Sequence, residues 1–143
     1  MKLFLARALV ILGLALALGG CASYDTQMER GRNLSKVQRF FVVRNLNDNH
    51  GVDRQIAEVL KARGREAESG PLTMMPDKTQ TVITFQDHWT WDFGEHLVFF
   101  QLSARDAHAD QSFATVSFSA RIPLREDASV TIARLVDQLL DKK

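Results

Sequence analysis

The sequence predicts an α+β domain: a two-layer sandwich in the order β-α-β-β-β-α, with a four-stranded, mostly antiparallel sheet and two helices on one face. Three segments after residue 80 alternate between apolar and polar residues, which is typical of strands. Two other segments repeat apolar residues at helical spacing. The first helical segment lies between two strand segments, so those strands are expected to be parallel and joined by a right-handed crossover.

The composition is that of a globular protein and argues against several functions. Hydrophobic residues make up 45% of the 143 residues and charged residues 24%. From residue 21 onward the chain has 16 basic and 17 acidic residues, a net charge of −1, and no clustered basic segment. We therefore expect no nucleic-acid partner and no electrostatic attraction to anionic lipids. A single cysteine excludes both an intrachain disulfide and a zinc site built on several cysteines.

The first 20 residues have the features of an export signal. Lys2 and Arg7 form a positively charged start, and residues 8–18 are eleven consecutive apolar residues. A membrane-spanning helix needs about 20 such residues, so this run is too short to span a bilayer. Gly19 and Gly20 follow, and then Cys21, so the predicted signal peptide is residues 1–20.

The segment Leu18-Gly19-Gly20-Cys21 resembles the lipobox of bacterial lipoproteins. The resemblance implies that Cys21 receives a diacylglyceryl group on its sulfur and, after cleavage, a further acyl chain on its amine. Two or three acyl chains give stable membrane attachment without a spanning helix. Ala22, where an aspartate would favour the inner membrane, implies sorting to the outer membrane with the domain facing the periplasm. The alternative is an ordinary secretory signal followed by a chance cysteine.

The first half of the exported chain is predicted to contain one strand and one helix. Residues 21–36 have no sustained apolar period and are expected to form the lipidated N-terminus and a flexible tether, with a single domain over residues 37–143. Residues 37–44 are rich in β-branched and aromatic residues and predict a central strand. Asp48 and Asn49 are the candidates for capping the helix that follows. The apolar face of that helix is Val52, Ile56, Val59 and Leu60.

The second half predicts three strands and a second helix. Residues 65–79 contain two prolines and are expected to form a long loop. Strands are predicted over 81–91, 96–104, where Val98, Phe100 and Leu102 share a face, and 112–122. Asp127 or Ser129 is expected to cap the last helix. Its apolar face is Ile132, Leu135, Val136, Leu139 and Leu140.

Residues 85–92 contain both tryptophans of the chain. Because alternate residues of a strand share a face, Asp87, Trp89 and Trp91 are expected on one side. In one interpretation the tryptophans pack against the fold and the aspartates cap the turn. In a second, Trp89 and Trp91, with Asp87 and Asp92, bind an envelope protein or glycan, because aromatic side chains are common binding hot spots.

A third interpretation of this segment is a metal or acid/base site formed by Asp87, His88, Asp92 and His96. Alternation places Asp87 and His88 on opposite faces, so we expect no metal site and no cofactor. A second polar cluster, over residues 48–53, superficially resembles a cation-binding loop. It lacks the spacing of an EF-hand, and we expect it to cap a helix instead.

The motif Asp87-x-Trp89-x-Trp91-Asp92, with Leu-Ser-Ala-Arg-Asp-Ala over residues 102–107, resembles a family of small uncharacterised envelope lipoproteins of proteobacteria. The resemblance extends over most of residues 38–140. That family has no assigned activity, so the resemblance implies no catalytic residues.

The sequence predicts no enzyme. It contains no Gly-x-Ser-x-Gly motif, glycine-rich phosphate loop or His-Glu-x-x-His motif, and its cysteine is assigned to lipid. We expect a lipid-anchored periplasmic domain with a non-catalytic role in envelope assembly, maintenance or partner binding. The alternative is a small-ligand-binding protein or a hydrolase that uses residues 87–92.

Overall fold

A computed structural model describes residues 22–123 and 125–141 of the chain. The predicted signal peptide and Cys21 lie outside this part. The described strands are β1 (Ser23–Met28), β2 (Arg39–Val43), β3 (Glu66–Gly70), β4 (Thr81–Trp91), β5 (Glu95–Asp106) and β6 (Ser112–Ser119). The helices are α1 (Val52–Ala62), α2 (Ala128–Asp141) and a short 3₁₀ helix, Leu72–Met74.

The six strands form one mixed sheet in the order β1-β6-β5-β4-β2-β3. The pairs β2–β3 and β2–β4 are parallel, and the pairs β1–β6, β6–β5 and β5–β4 are antiparallel. The α+β class and its two helices agree with the sequence prediction, but the predicted number of four strands is wrong. The two additional strands are the edges of the sheet.

The first additional strand, β1, lies within the segment expected to be a flexible tether. Its six residues pair with β6, from Ser23 opposite Ser119 to Met28 opposite Ala114. Only its alternate side chains are partly covered; Tyr24, for instance, packs on Phe118 with ring centroids 5.1 Å apart. An edge strand held mainly by backbone hydrogen bonds needs few apolar residues, so its polar sequence gave no strand signal.

The second additional strand, β3, lies within the segment expected to be a long loop. It runs parallel to β2, with Arg39 opposite Glu66 and Val43 opposite Gly70. The crossover through α1 therefore leads from β2 to β3, and only afterwards does the chain reach β4 on the other side of β2. Two residues of this strand are glutamates, so its composition resembled that of a connector.

The main core lies between the sheet and the two helices. Phe100 and Phe118 of the sheet are fully buried there with Ile56 of α1 and Leu135 of α2. The pairing of β4 with β5 shifts register between His88, opposite Phe99, and Trp89, opposite Leu97. The residue at this β-bulge is Val98, so Leu97 lies in the core where the sequence predicted Val98.

One of the two predicted capping residues acts at the start of α2. The Asp127 carboxylate accepts a hydrogen bond from the Ser129 N–H at 2.8 Å. This hydrogen bond lowers the pKa of the Asp127 carboxyl below its ordinary value. The apolar face of α2 is buried as predicted.

The strand directions give the domain two distinct ends. The strands β2, β3, β4 and β6 all finish at one end, where β1 and β5 begin. We call this the apical end; it comprises residues 44–51, 71–75, 91–95 and 120–130, apart from residue 124. The other, basal end is formed by residues 29–38, 63–65, 76–80 and 106–111. In the described part of the chain, neither helix has the length and apolar character needed to cross a bilayer.

Removing a large side chain from the core should destabilise the fold strongly. Phe100 is fully buried, so Phe100→Ala should lower the free energy of unfolding by about 3–5 kcal/mol. Phe93→Ala is the matched control, because Phe93 is fully exposed and its truncation should change the value by no more than about 0.5 kcal/mol. Urea denaturation measures both; equal losses would contradict the assigned core.

Candidate functional site

Asp48 organises the loop between β2 and α1. One carboxylate oxygen accepts the His50 N–H at 2.8 Å and the other accepts the Val52 N–H at 2.6 Å. Asp48, one of the two predicted capping residues, therefore accepts a hydrogen bond from an N–H of the first turn of α1 that has no partner within the helix. Gly51 takes the N-cap backbone position with φ of 66°, a left-handed conformation that glycine adopts without strain.

His50 connects this loop to the β4–β5 hairpin. Its ring stacks on the Trp89 indole, with centroids 3.9 Å apart and planes 14° from parallel. Its Nε2 lies 2.9 Å from a carboxylate oxygen of Glu95. Its Nδ1 is buried and has no hydrogen-bond partner among the described residues.

Asp87 completes the arrangement from the middle of β4. Its Oδ2 accepts a hydrogen bond from the Trp89 indole N–H at 2.6 Å. One oxygen each of Asp48 and Asp87 and one ring nitrogen of His50 lie within 4.8 Å of one another, and all three residues are half-buried. We call Asp48, His50, Asp87, Trp89 and Glu95 the polar cluster.

The four residues predicted to bind a partner divide into two pairs. Asp87 and Trp89 contact each other inside the polar cluster. Trp91 is 76% exposed, and Asp92 is exposed in the hairpin turn, where its N–H donates to the Gly94 carbonyl. Trp89 is half-buried whereas Trp91 is exposed, so the two tryptophans offer a partner different amounts of surface.

The structure does not bring the four residues of the metal interpretation together into one site. His88 is exposed, and its ring lies 5.8 Å from that of Phe99. His96 contacts the backbone carbonyl of Asp92 at 3.0 Å. Sequence reasoning missed His50 as a neighbour of Asp87, and Glu95 as a neighbour of His50. The contact between His50 and Glu95 joins residues 45 positions apart, and the visible signal was the polar run 48–50.

Exposed apolar side chains are concentrated at the apical end. Phe93 is fully exposed at the tip of the β4–β5 hairpin, with φ of 51°. A bulky residue in this left-handed conformation is uncommon outside turns. The large hydrophobic residues that are exposed in the described chain all belong to the apical segments: Leu46, Leu72, Met74, Trp91, Phe93, Ile122 and Val130.

The basal end has a different character. Arg32, in the loop after β1, pairs with Asp106 at the end of β5. Arg63, after α1, donates two hydrogen bonds to the Asp137 carboxylate at 2.7 and 2.8 Å, which raises the pKa of the Arg63 guanidinium. The exposed large apolar side chains of the described chain thus lie at the apical end, whereas ion pairs occur at both ends.

Comparisons with known proteins identify the fold. The chain is similar to the PelC dodecamer subunit from Paraburkholderia phytofirmans, seen in two crystal forms with TM-scores of 0.58 and 0.60. The identity is 14%, and the match covers 84% of this chain and 95% of PelC. The chain therefore has the PelC fold.

Two further matches are weaker. A DUF4136 family protein from Bacteroides thetaiotaomicron has 10% identity, a TM-score of 0.48, and coverage of 82% of this chain and 92% of its own. A minor lipoprotein from Acinetobacter baumannii has 9% identity, a TM-score of 0.29, and coverage of 73% and 84%. No protein-family model matches the sequence, and no curated protein matches it significantly.

Substitutions at Asp48 should separate its capping role from its charge. Asp48→Ala removes the acceptor for the Val52 N–H and should destabilise the protein by about 1 kcal/mol. Asp48→Asn keeps one of the two acceptor oxygens and should lose less stability than Asp48→Ala. Urea denaturation measures both variants, and an Asp48→Ala protein as stable as the unaltered chain would show that Asp48 does not act as a cap.

Proposed function

We propose that this chain is a lipoprotein held at the outer membrane by acyl chains on Cys21, with its domain facing the periplasm and its apical end toward the bilayer. Its role is non-catalytic, in envelope assembly, maintenance or partner binding. The observation that supports this proposal best is the position of the exposed apolar side chains, which lie at the end of the domain where β1 begins.

The register of the sheet relates the anchor to the apical side chains. Ser23 pairs with Ser119, which pairs with Phe99, which in turn pairs with His88. The strand β4 continues three residues beyond this level to Trp91, a distance of roughly 10 Å. Cys21 precedes Ser23 by two residues, which span up to about 7 Å. Acyl chains on Cys21 and the Trp91 ring can therefore reach one bilayer surface together.

The chemistry of the apical end suits a membrane interface. Tryptophan is enriched at the headgroup level of bilayers, where an apolar ring with a polar N–H is favoured. Burial of apolar surface contributes about 25 cal/mol per Å² and needs no basic residues. A membrane contact of this kind is therefore compatible with the net charge of −1 that the chain carries from residue 21 onward. The apical side chains would orient the domain, and the acyl chains would supply most of the affinity.

The geometry of residues 87–92 gives no support to the alternative of a hydrolase. General acid/base catalysis by a pair of carboxylates requires both groups to reach one substrate. Asp87 lies in the polar cluster and is hydrogen-bonded to Trp89, whereas Asp92 lies in the exposed hairpin turn.

The proposed partner of the domain is an envelope protein or glycan.

The fold comparison supplies a competing explanation for the apical surface. PelC is described as a dodecamer. Copies of this chain could therefore cover their apical side chains against one another rather than against lipid. The experiment below distinguishes the two, because assembly depends on protein concentration and not on vesicles.

The apical aromatic side chains should increase binding to vesicles even without the lipid anchor. The unacylated chain 22–143 should sediment with phosphatidylethanolamine–phosphatidylglycerol vesicles. The double variant Trp91→Ser/Phe93→Ser should bind at least about tenfold more weakly, since full burial of even one such ring contributes about 1.5–3 kcal/mol and two rings are removed.

The matched control is His88→Ser, which changes an exposed ring on β4 away from the tip and should bind as the unaltered chain does. Analytical ultracentrifugation without vesicles tests self-association. Equal vesicle binding by all three proteins would contradict an apical membrane contact. Self-association of the unaltered chain that is lost in the double variant would also contradict it, because the apical side chains would then contact another copy of the chain.

The lipid anchor is tested separately at Cys21. Cys21→Ser removes the sulfur that carries the diacylglyceryl group, so labelling by a palmitate analogue should disappear. Ala22→Asp is the control: it should keep the label and move the protein from the outer to the inner membrane fraction. Labelling of the Cys21→Ser protein would show that the lipidation assignment is wrong.

A further inference from the structure

We propose that Asp48, His50 and Asp87 bind a divalent metal ion of the zinc class. The three side chains come from the loop before α1 and from β4, and their donor atoms lie within 4.8 Å of one another. The inference goes beyond the proposed function, since it requires neither the lipid anchor nor a membrane contact.

The contact of His50 Nε2 with Glu95 leaves the other ring nitrogen, Nδ1, available to bind a metal ion. Nε2 lies 2.9 Å from the Glu95 carboxylate, which favours the tautomer with its proton on Nε2. Nδ1 is then a bare acceptor, and it is buried without a hydrogen-bond partner in the described chain. A histidine that donates one N–H to a carboxylate and offers the other nitrogen is the usual arrangement of a metal ligand.

The two carboxylates lack any other positive partner. No Lys or Arg among residues 22–123 and 125–141 forms an ion pair with Asp48 or Asp87. Two half-buried carboxylates this close repel each other, and a divalent cation between them removes the repulsion. The nearby Arg44 is already paired with the buried Asp53 at 3.1 Å.

Helix capping alone does not explain the cluster. It accounts for Asp48, which accepts two backbone N–H groups, but it does not involve Asp87 or the Nδ1 atom of His50. Each carboxylate still has free lone pairs, because an ionised carboxylate offers about four acceptor positions. Zinc binds oxygen and nitrogen at about 2.0–2.2 Å, so side-chain rotations of about 1 Å would bring the three donors into range.

The kind of ion follows from the donor set. One imidazole with two carboxylates suits zinc and its transition-metal neighbours, whereas magnesium and calcium prefer oxygen ligands alone. Three protein ligands leave a tetrahedral ion one further position for water.

The experiment is a calorimetric titration of the full-length protein in detergent with Zn²⁺. We expect one ion per chain and at least tenfold weaker binding for Asp87→Asn and for Asp48→Asn. Both changes are isosteric, and Asn is a good helix cap, so the fold should be retained. Asp92→Asn, which alters an exposed carboxylate on the same hairpin, should bind zinc as the unaltered protein does.

A second readout uses the ring stack. In a Trp91→Phe background Trp89 is the only indole, and its fluorescence should change as the ion binds to the His50 ring stacked on it. The absence of saturable binding, or an unchanged affinity in Asp87→Asn, would overturn the proposal. So would Ca²⁺ or Mg²⁺ binding that is tighter than Zn²⁺ binding and unaffected by His50→Gln.

Discussion

The pairing of β4 with β5 is the interaction on which the rest of the structure depends. Eleven residue pairs join the two strands, from Thr81 opposite Asp106 to Trp91 opposite Glu95. Both strands are longer than their neighbours, so the hairpin extends beyond the sheet at the apical end. The same pairing therefore supplies core residues in the middle of the sheet, the polar cluster beside α1, and the exposed aromatic tip.

The bulge in β5 determines which side chains of that strand face the helices. A shift of one residue in a strand moves its side chains to the opposite face. With the extra residue at Val98, both Leu97 and Phe100 of β5 face the helices. The bulge thus adds Leu97 to the buried face of β5 and leaves the alternation of β4 unchanged.

Elements with a strong apolar period could be predicted from the sequence, and elements without one could not. The strand Thr81–Trp91 and the buried faces of both helices agree with the prediction, because their periodicity reflects burial on one side. The edge strands β1 and β3 were missed because backbone pairing rather than side-chain burial holds them. The contact of His50 with Trp89 depends on the conformation of the loop after β2, which has no local sequence signature.

The orientation of the domain at the membrane is the central claim, and depth-dependent quenching tests it most directly. The acylated protein is placed in vesicles that contain spin-labelled lipid, with either Trp91 or Trp89 as the only tryptophan. The account predicts strong quenching of Trp91 by labels near the headgroups and weak quenching of the half-buried Trp89. A Trp91 that lipid labels do not quench would contradict it.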